Sequence, residues 1–150
     1  MTPETIKSIR TEIDSLSKLS SKLKPSREIS LAKTSFDSSK MMLGKVLEEM
    51  GTENPYPESK NPNSPIIEKT ADTGSIQNLN TELDHIGNVK AIRLFADEVC
   101  NKIKGSFTVH DLRTLQYVYT EAAFLDCSRG IMWLGMELGR IRDEEEATKK

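Results

Sequence analysis

A chain of 150 residues with 36% hydrophobic and 5% aromatic side chains has material for one modest core, built on Ile, Leu, Val and Met rather than on rings. Twenty-one basic against 23 acidic side chains leave a formal charge of −2, which excludes a global field aimed at DNA, RNA or an anionic membrane and makes any anion site local. Two cysteines, Cys100 and Cys127, in apolar helical surroundings predict free thiols of a reducing compartment; with no basic-then-apolar leader after Met1 and no apolar run of about 18 residues, the expectation is a soluble cytoplasmic protein.

Thr2-Pro3-Glu4 opens a first helix within residues 1–24: Thr can cap, Pro suits the first helical position and Glu the positive end of the dipole. Ile6, Ile9, Ile13, Leu16, Leu19 and Leu23 recur three or four apart, one narrow stripe that needs a partner, and Lys24-Pro25 stops the helix. Ser26 can cap a second helix over 26–50, with Ile29, Ala32, Phe36, Leu43, Leu47 and Met50 inward and Gly51 as the left-handed terminator.

Residues 52–74 interrupt this pattern. Four of the six prolines, Pro55, Pro57, Pro62 and Pro65, fall within eleven residues, which excludes helix and central strand there. Tyr56 between two prolines, the pair Ile66-Ile67, and Lys69, Thr70 and Asp72 give this stretch the composition of a built functional loop rather than of a Gly/Ser spacer. The helical stripe resumes over 75–104 through Ile76, Leu79, Leu83, Ile86, Val89, Ile92, Ala96, Val99 and Ile103, with Asp84-His85-Ile86-Gly87-Asn88 as a place to kink or divide it and Gly105 as its close. Thr108 with Asp111 reads as a capping box for a long last helix over 108–146, through Leu112, Leu115, Tyr119, Ala122 or Ala123, Cys127, Ile131, Leu134, Leu138 and Ile141. No useful alternating strand pattern occurs.

Met41-Met42-Leu43-Gly44-Lys45-Val46-Leu47 aligns without gaps on Met132-Trp133-Leu134-Gly135-Met136-Glu137-Leu138. Mid-helix glycine costs roughly 1 kcal/mol relative to alanine, so Gly44 and Gly135 point to close helix approach, within the chain or between subunits.

Enzyme signatures are missing: no Gly-x-Gly-x-x-Gly, no Walker loop, no Gly-x-Ser-x-Gly and no His-Glu-x-x-His. His85 and His110 each sit beside an Asp at a helix kink or start, where capping or a surface role outweighs catalysis, and two His with two Cys lack the spacing of a zinc site. Glu48-Glu49 and Glu144-Glu145-Glu146 stand at helix ends as solvated charge, so neither a metal nor any cofactor is expected. Ligand capture needs only a shaped pocket, stacking faces and fixed cations. Arg129 and Arg113, the latter one turn after the cap, stand on the last helix as candidate phosphate clamps, Tyr56 and Phe107 as stacking rings, and Lys69, Thr70 and Asp72 as polar contacts; ion pairing of the arginines with Asp126 or Glu121 is the competing role.

Met-Met-Leu-Gly-Lys-Val-Leu, then Asn54-Pro55-Tyr56-Pro57-Glu58-Ser59-Lys60, then Ile67-Glu68-Lys69-Thr70-Ala71-Asp72, with Met132-Trp133-Leu134-Gly135-Met136-Glu137-Leu138, resembles bacteriophage proteins of the anti-Thoeris and anti-CBASS sponge group over roughly residues 31 to 142. The resemblance implies an all-α protein of helical hairpins with a long proline-rich functional loop. It further implies a homo-oligomer such as a hexamer that sequesters a cyclic nucleotide or cyclic ADP-ribose-type immune signal without cleaving it. The family's arginine and aromatic contacts would fall on Arg113, Arg129, Phe107 and the loop. Two readings from other classes stay open: a helical adaptor whose loop docks a protein partner, and a metal-dependent nucleotide hydrolase.

Overall fold

Capping side chains set where each helix begins in the computed structural model, which describes residues 2–51, 78–106 and 114–149. Thr2, Ser26, Asp84 and Thr114 each hold an extended backbone and accept, through a side-chain oxygen, the amide of the residue three positions on, which satisfies one otherwise unpartnered donor at each start. The helices are α1 (Pro3–Lys22), α2 (Arg27–Glu49), α3 (His85–Gly105) and α4 (Leu115–Thr148). Gly51, at φ 75, supplies the left-handed residue after α2. No strand occurs among the described residues, and no helix there is long and apolar enough to cross a membrane.

Two expected boundaries move. The third helix starts at His85, because the Asp84 side chain accepts from Gly87 N and the Asn88 amide turns back onto the carbonyls of Asn80 and Leu83, folding 78–84 into a turn; Leu79 is partly buried and Leu83 is exposed. The last helix is capped by Thr114, and the Thr108 and Asp111 expected to cap it lie outside the described residues, as do the whole proline-rich stretch 52–74, His110 and Leu112. Leu115, expected in the core, is 54% exposed.

Side-chain contacts fix the topology. Ser17 bonds Asp37 and Lys40 pairs with Asp14, so α1 and α2 form an antiparallel hairpin. Ser26 reaches Glu137 while Ser39 donates to the Ala123 carbonyl, so α4 runs antiparallel to α2. His85 also reaches Glu137 while Cys100 meets Ser128, so α3 is antiparallel to α4 and runs in the same direction as α2. Lys102 on α3 pairs with Glu12 on α1 and closes the ring α1–α2–α4–α3. Because α2 and α3 point the same way, Gly51 and Asn78 stand at opposite ends of the bundle.

All six stripe residues of α1 are buried, Leu23 being the most exposed at 4%, together with Ile29, Ala32, Phe36, Leu43, Val46 and Leu47 of α2 and Val89, Ile92, Ala96, Val99 and Ile103 of α3. The α1 stripe therefore finds its partners inside the chain and leaves no unmet demand for another subunit. A close approach falls at Gly130, where an added Cβ would collide with the buried ring of Phe36. That glycine lets α2 and α4 close on an aromatic side chain.

Candidate functional site

Of the residues the sequence offered as ligand contacts, Arg129 alone is described; Tyr56, Lys69, Thr70, Asp72, Phe107 and Arg113 lie outside the described residues. Arg129 stands on α4 beside Gly130, with its side chain 65% exposed, and its Nη1 donates to Asp126 Oδ1 at 3.3 Å. The ion pairing weighed from the sequence is thus present, though long and solvated, which makes it a weak tether.

A second arginine of α4 is used differently. Glu137 is fully buried and accepts from Ser26 Oγ at 2.9 Å, from Arg140 Nη2 at 2.6 Å and, within 2.7 Å, faces His85 Nε2. Burial by itself would raise the Glu137 carboxyl, but the hydrogen bonds from His85, Arg140 and Ser26 outweigh it and hold it below the usual carboxylate range. Arg140 reaches Glu28 at 3.3 Å and Glu144 at 2.8 Å as well, and its bonds to Glu137 and Glu144 push its own pKa up. This cluster ties the starts of α2 and α3 to α4. Its arginine is already saturated by carboxylates, and the adjacent hollow, lined by Glu28, Asp143 and Glu144 besides Arg140, is a poor place for an anion.

The α3–α4 groove has the opposite character. It encloses about 570 Å³ between Lys90, Arg93, Leu94 and Asp97 of α3 and Ile131 and Leu138 of α4, within the roughly 300–1,000 Å³ of small-molecule sites. Arg93 lies across α4: its Nε donates to the Ile131 carbonyl at 3.4 Å, and a Cβ placed on Gly135 would stand 3.3 Å from its Nη2. The bare Cα of Gly135 thus seats the guanidinium against the helix. Among the described residues, no carboxylate lies within ion-pair distance of Lys90 or Arg93. Two cations without carboxylate partners over an apolar floor of Leu94, Ile131 and Leu138 suit a ligand with a phosphate and a flat ring.

Sequence reasoning overlooked Lys90 and Arg93. A signal was present: Leu94 falls outside the third helix's apolar stripe and is 65% exposed, so an aliphatic side chain sits beside two cations on a face that should be polar. Gly135 was singled out for a helix contact, and what it accommodates is a side chain of α3.

Opposite its core face, α4 carries Leu115, Val118, Ala122, Leu125, Arg129, Met132 and Met136, spaced alternately three and four apart. Leu115, Val118, Leu125, Met132 and Met136 are 54%, 52%, 47%, 47% and 47% exposed. Such an exposed seam has heptad spacing. His85, expected to cap or face solvent, is half-buried against Glu137. Cys100 and Cys127 are free and buried. No group of three or more metal-ligating side chains occurs among the described residues.

No protein-family model, curated protein or solved structure matches the chain.

Proposed function

We propose that this protein binds and sequesters a cyclic nucleotide or cyclic ADP-ribose-type signalling molecule without cleaving it, and so blunts a bacterial anti-phage defence that depends on that signal. The observation that carries the reading is the α3–α4 groove, where Lys90 and Arg93 stand without carboxylate partners above Leu94, Ile131 and Leu138, with Arg93 seated on Gly135. Phosphate oxygens would meet the guanidinium and the ammonium, and a base or ribose face would lie on the aliphatic floor. Sequestration acts by mass action: it needs affinity tighter than the signal's concentration, and no nucleophile.

The open seam of α4 supports the oligomer that the reading includes, with a second copy laid against Leu115, Val118, Leu125, Met132 and Met136 and a hexamer as the expected assembly. Arg129 is two residues from Ile131, roughly 200° around the helix, so it points away from its own groove and would contact a ligand only where subunits meet. The adaptor reading, in which the loop docks a protein partner, expects the same self-association but no small-molecule binding.

The test is to mix purified protein with cyclic di- and trinucleotides and cyclic ADP-ribose isomers, remove the protein by filtration, and chromatograph the filtrate before and after heat denaturation. Depletion of one compound followed by its release intact is the expected result. A new product peak would instead indicate an enzyme, and no depletion with any compound would favour the adaptor.

A further inference from the structure

Midway along the α3–α4 interface, the two cysteines of the chain meet. Cys100 is 6% exposed and Cys127 is fully buried, both are free, and each sulfur bonds a group on the other's helix within one turn of the other cysteine. Cys127 Sγ also lies 3.8 Å from the Ala96 carbonyl, one turn before Cys100, and Cys100 Sγ lies 3.3 Å from the hydroxyl of Ser128, the residue after Cys127. Each sulfur thus belongs to one small polar cluster in an otherwise apolar seam, and Cys100 is the member at its edge.

The charged groups around the pair are Asp97 and Lys104 on α3 and Asp126 on α4. The hydrogen bond from Cys127 pulls the Cys100 thiol down to about 6 against the opposing effect of burial, with help from Ser128 and Lys104 and resistance from Asp97. Its bond to Cys100, then burial and the charges of Cys100, Asp126 and Asp97, hold Cys127 well above the ordinary thiol range. The two thiols therefore ionise one at a time, Cys100 first.

We propose that Cys100 and Cys127 form a peroxide-reactive dithiol, in which Cys100 is the attacking sulfur, Cys127 the resolving one, and the product a reversible disulfide joining α3 to α4. The oxidant is hydrogen peroxide, a small uncharged molecule, and Cys100 is the more exposed of the two cysteines. The Cys100 thiolate attacks one peroxide oxygen; the S–O bond forms, the O–O bond breaks, and the departing hydroxide takes up a proton to become water. Cys127 then gives up its proton and attacks the sulfenic sulfur; the S–S bond forms, the S–O bond breaks, and a second water leaves. Two electrons from the thiols thus reduce one peroxide to two waters, and an external dithiol returns them by exchange. Consumption of the Cys100 charge removes one cause that suppresses ionisation of Cys127, so the second step becomes easier than the ground state suggests. The chemistry is independent of what occupies the groove, although the cross-link would clamp the helices two turns from Arg93.

The experiment treats the full chain with hydrogen peroxide, digests it without reductant and maps the thiols by mass spectrometry. An intramolecular Cys100–Cys127 peptide, lost on adding dithiothreitol, is the expected product, and Cys127→Ser should instead accumulate a sulfenic acid on Cys100 that dimedone traps. In parallel, the pH profile of Cys100 alkylation by iodoacetamide should have its midpoint near 6 in the wild type, move toward the ordinary thiol value of about 8.5 in Cys127→Ala, and shift partway in Ser128→Ala, whose change lies at the rim of the core. Circular dichroism identifies the folded variants. A folded wild-type chain whose Cys100 alkylates only in the ordinary thiol range, or whose thiols stay free or cross-link only between chains under peroxide, would overturn the proposal.

Discussion

Arg140, on α4, and Arg93, on α3 and laid across α4, have opposite surroundings. Arg140 reaches Glu28, Glu137 and Glu144 and helps neutralise a buried carboxylate, whereas Arg93 spreads over Gly135 with Lys90 nearby and makes no ion pair among the described residues, Asp97 being the one acidic side chain that lines its groove. An arginine with three acidic partners has its charge committed to the fold. An arginine held by a backbone carbonyl and a glycine has a fixed position and an uncommitted charge, which is what anion recognition requires. The difference separates a structural clamp from the binding surface proposed above.

Breaking the clamp should have the largest effect. Glu137→Ala removes the carboxylate on which Ser26, His85 and Arg140 converge, and loss of one partner of such a buried cluster costs about 3–5 kcal/mol; urea unfolding should show the midpoint falling accordingly. Next comes Gly130→Ala, which drives a methyl into the Phe36 ring and should cost about 1–3 kcal/mol by overpacking, read by the same titration. Acid should weaken the clamp more gradually. The carboxyls of Glu137 and Asp14 are both held below their usual values, with burial opposed and outweighed by His85, Arg140 and Ser26 in the first case and by Lys18 and Lys40 in the second. Their folded-state pKa is lowered, so their stabilisation is full above the unfolded carboxylate range and is lost progressively as pH falls from there through the lowered folded-state values. Urea midpoints measured from neutral pH downward should therefore begin to drop near pH 4.5, the ordinary glutamate value, and drop less steeply in Glu137→Gln. At the groove the order of effects inverts. Arg93→Ala and Lys90→Ala should leave the urea midpoint within error of the wild type and weaken nucleotide binding. The smallest change is expected of Arg129→Ala, whose solvated pair with Asp126 contributes little to folding; a loss of ligand affinity there would place Arg129 at a site shared between subunits.

Much of the scaffold was legible because single residues carry it. Thr2 and Ser26 cap the first two helices, Gly51 ends the second, and the whole α1 stripe is core, as spacing alone indicated. The third helix misled because Leu79 and Leu83 continue its period while Asp84 and Asn88 bind local backbone groups more strongly than another helical turn would. The α4 periodicity was ambiguous for a different reason: the helix carries two apolar stripes, and Leu115 belongs to the outer one. The clamp was invisible because His85 and Glu137 are 52 residues apart in sequence, and a glutamate among helical charges resembles any solvated side chain until the fold buries it. The groove was hidden likewise, since Lys90 and Arg93 acquire their meaning only when α4 brings Ile131 and Leu138 alongside them and Gly135 beneath Arg93.

The most direct measurement is the filtration and release assay run side by side on the wild type and on the double variant Lys90→Ala/Arg93→Ala, with equal urea midpoints established first. The groove account predicts that the wild type depletes a signalling nucleotide and releases it intact on heating while the folded double variant leaves it in the filtrate. Equal depletion by both proteins would contradict it and move the binding surface away from the α3–α4 groove.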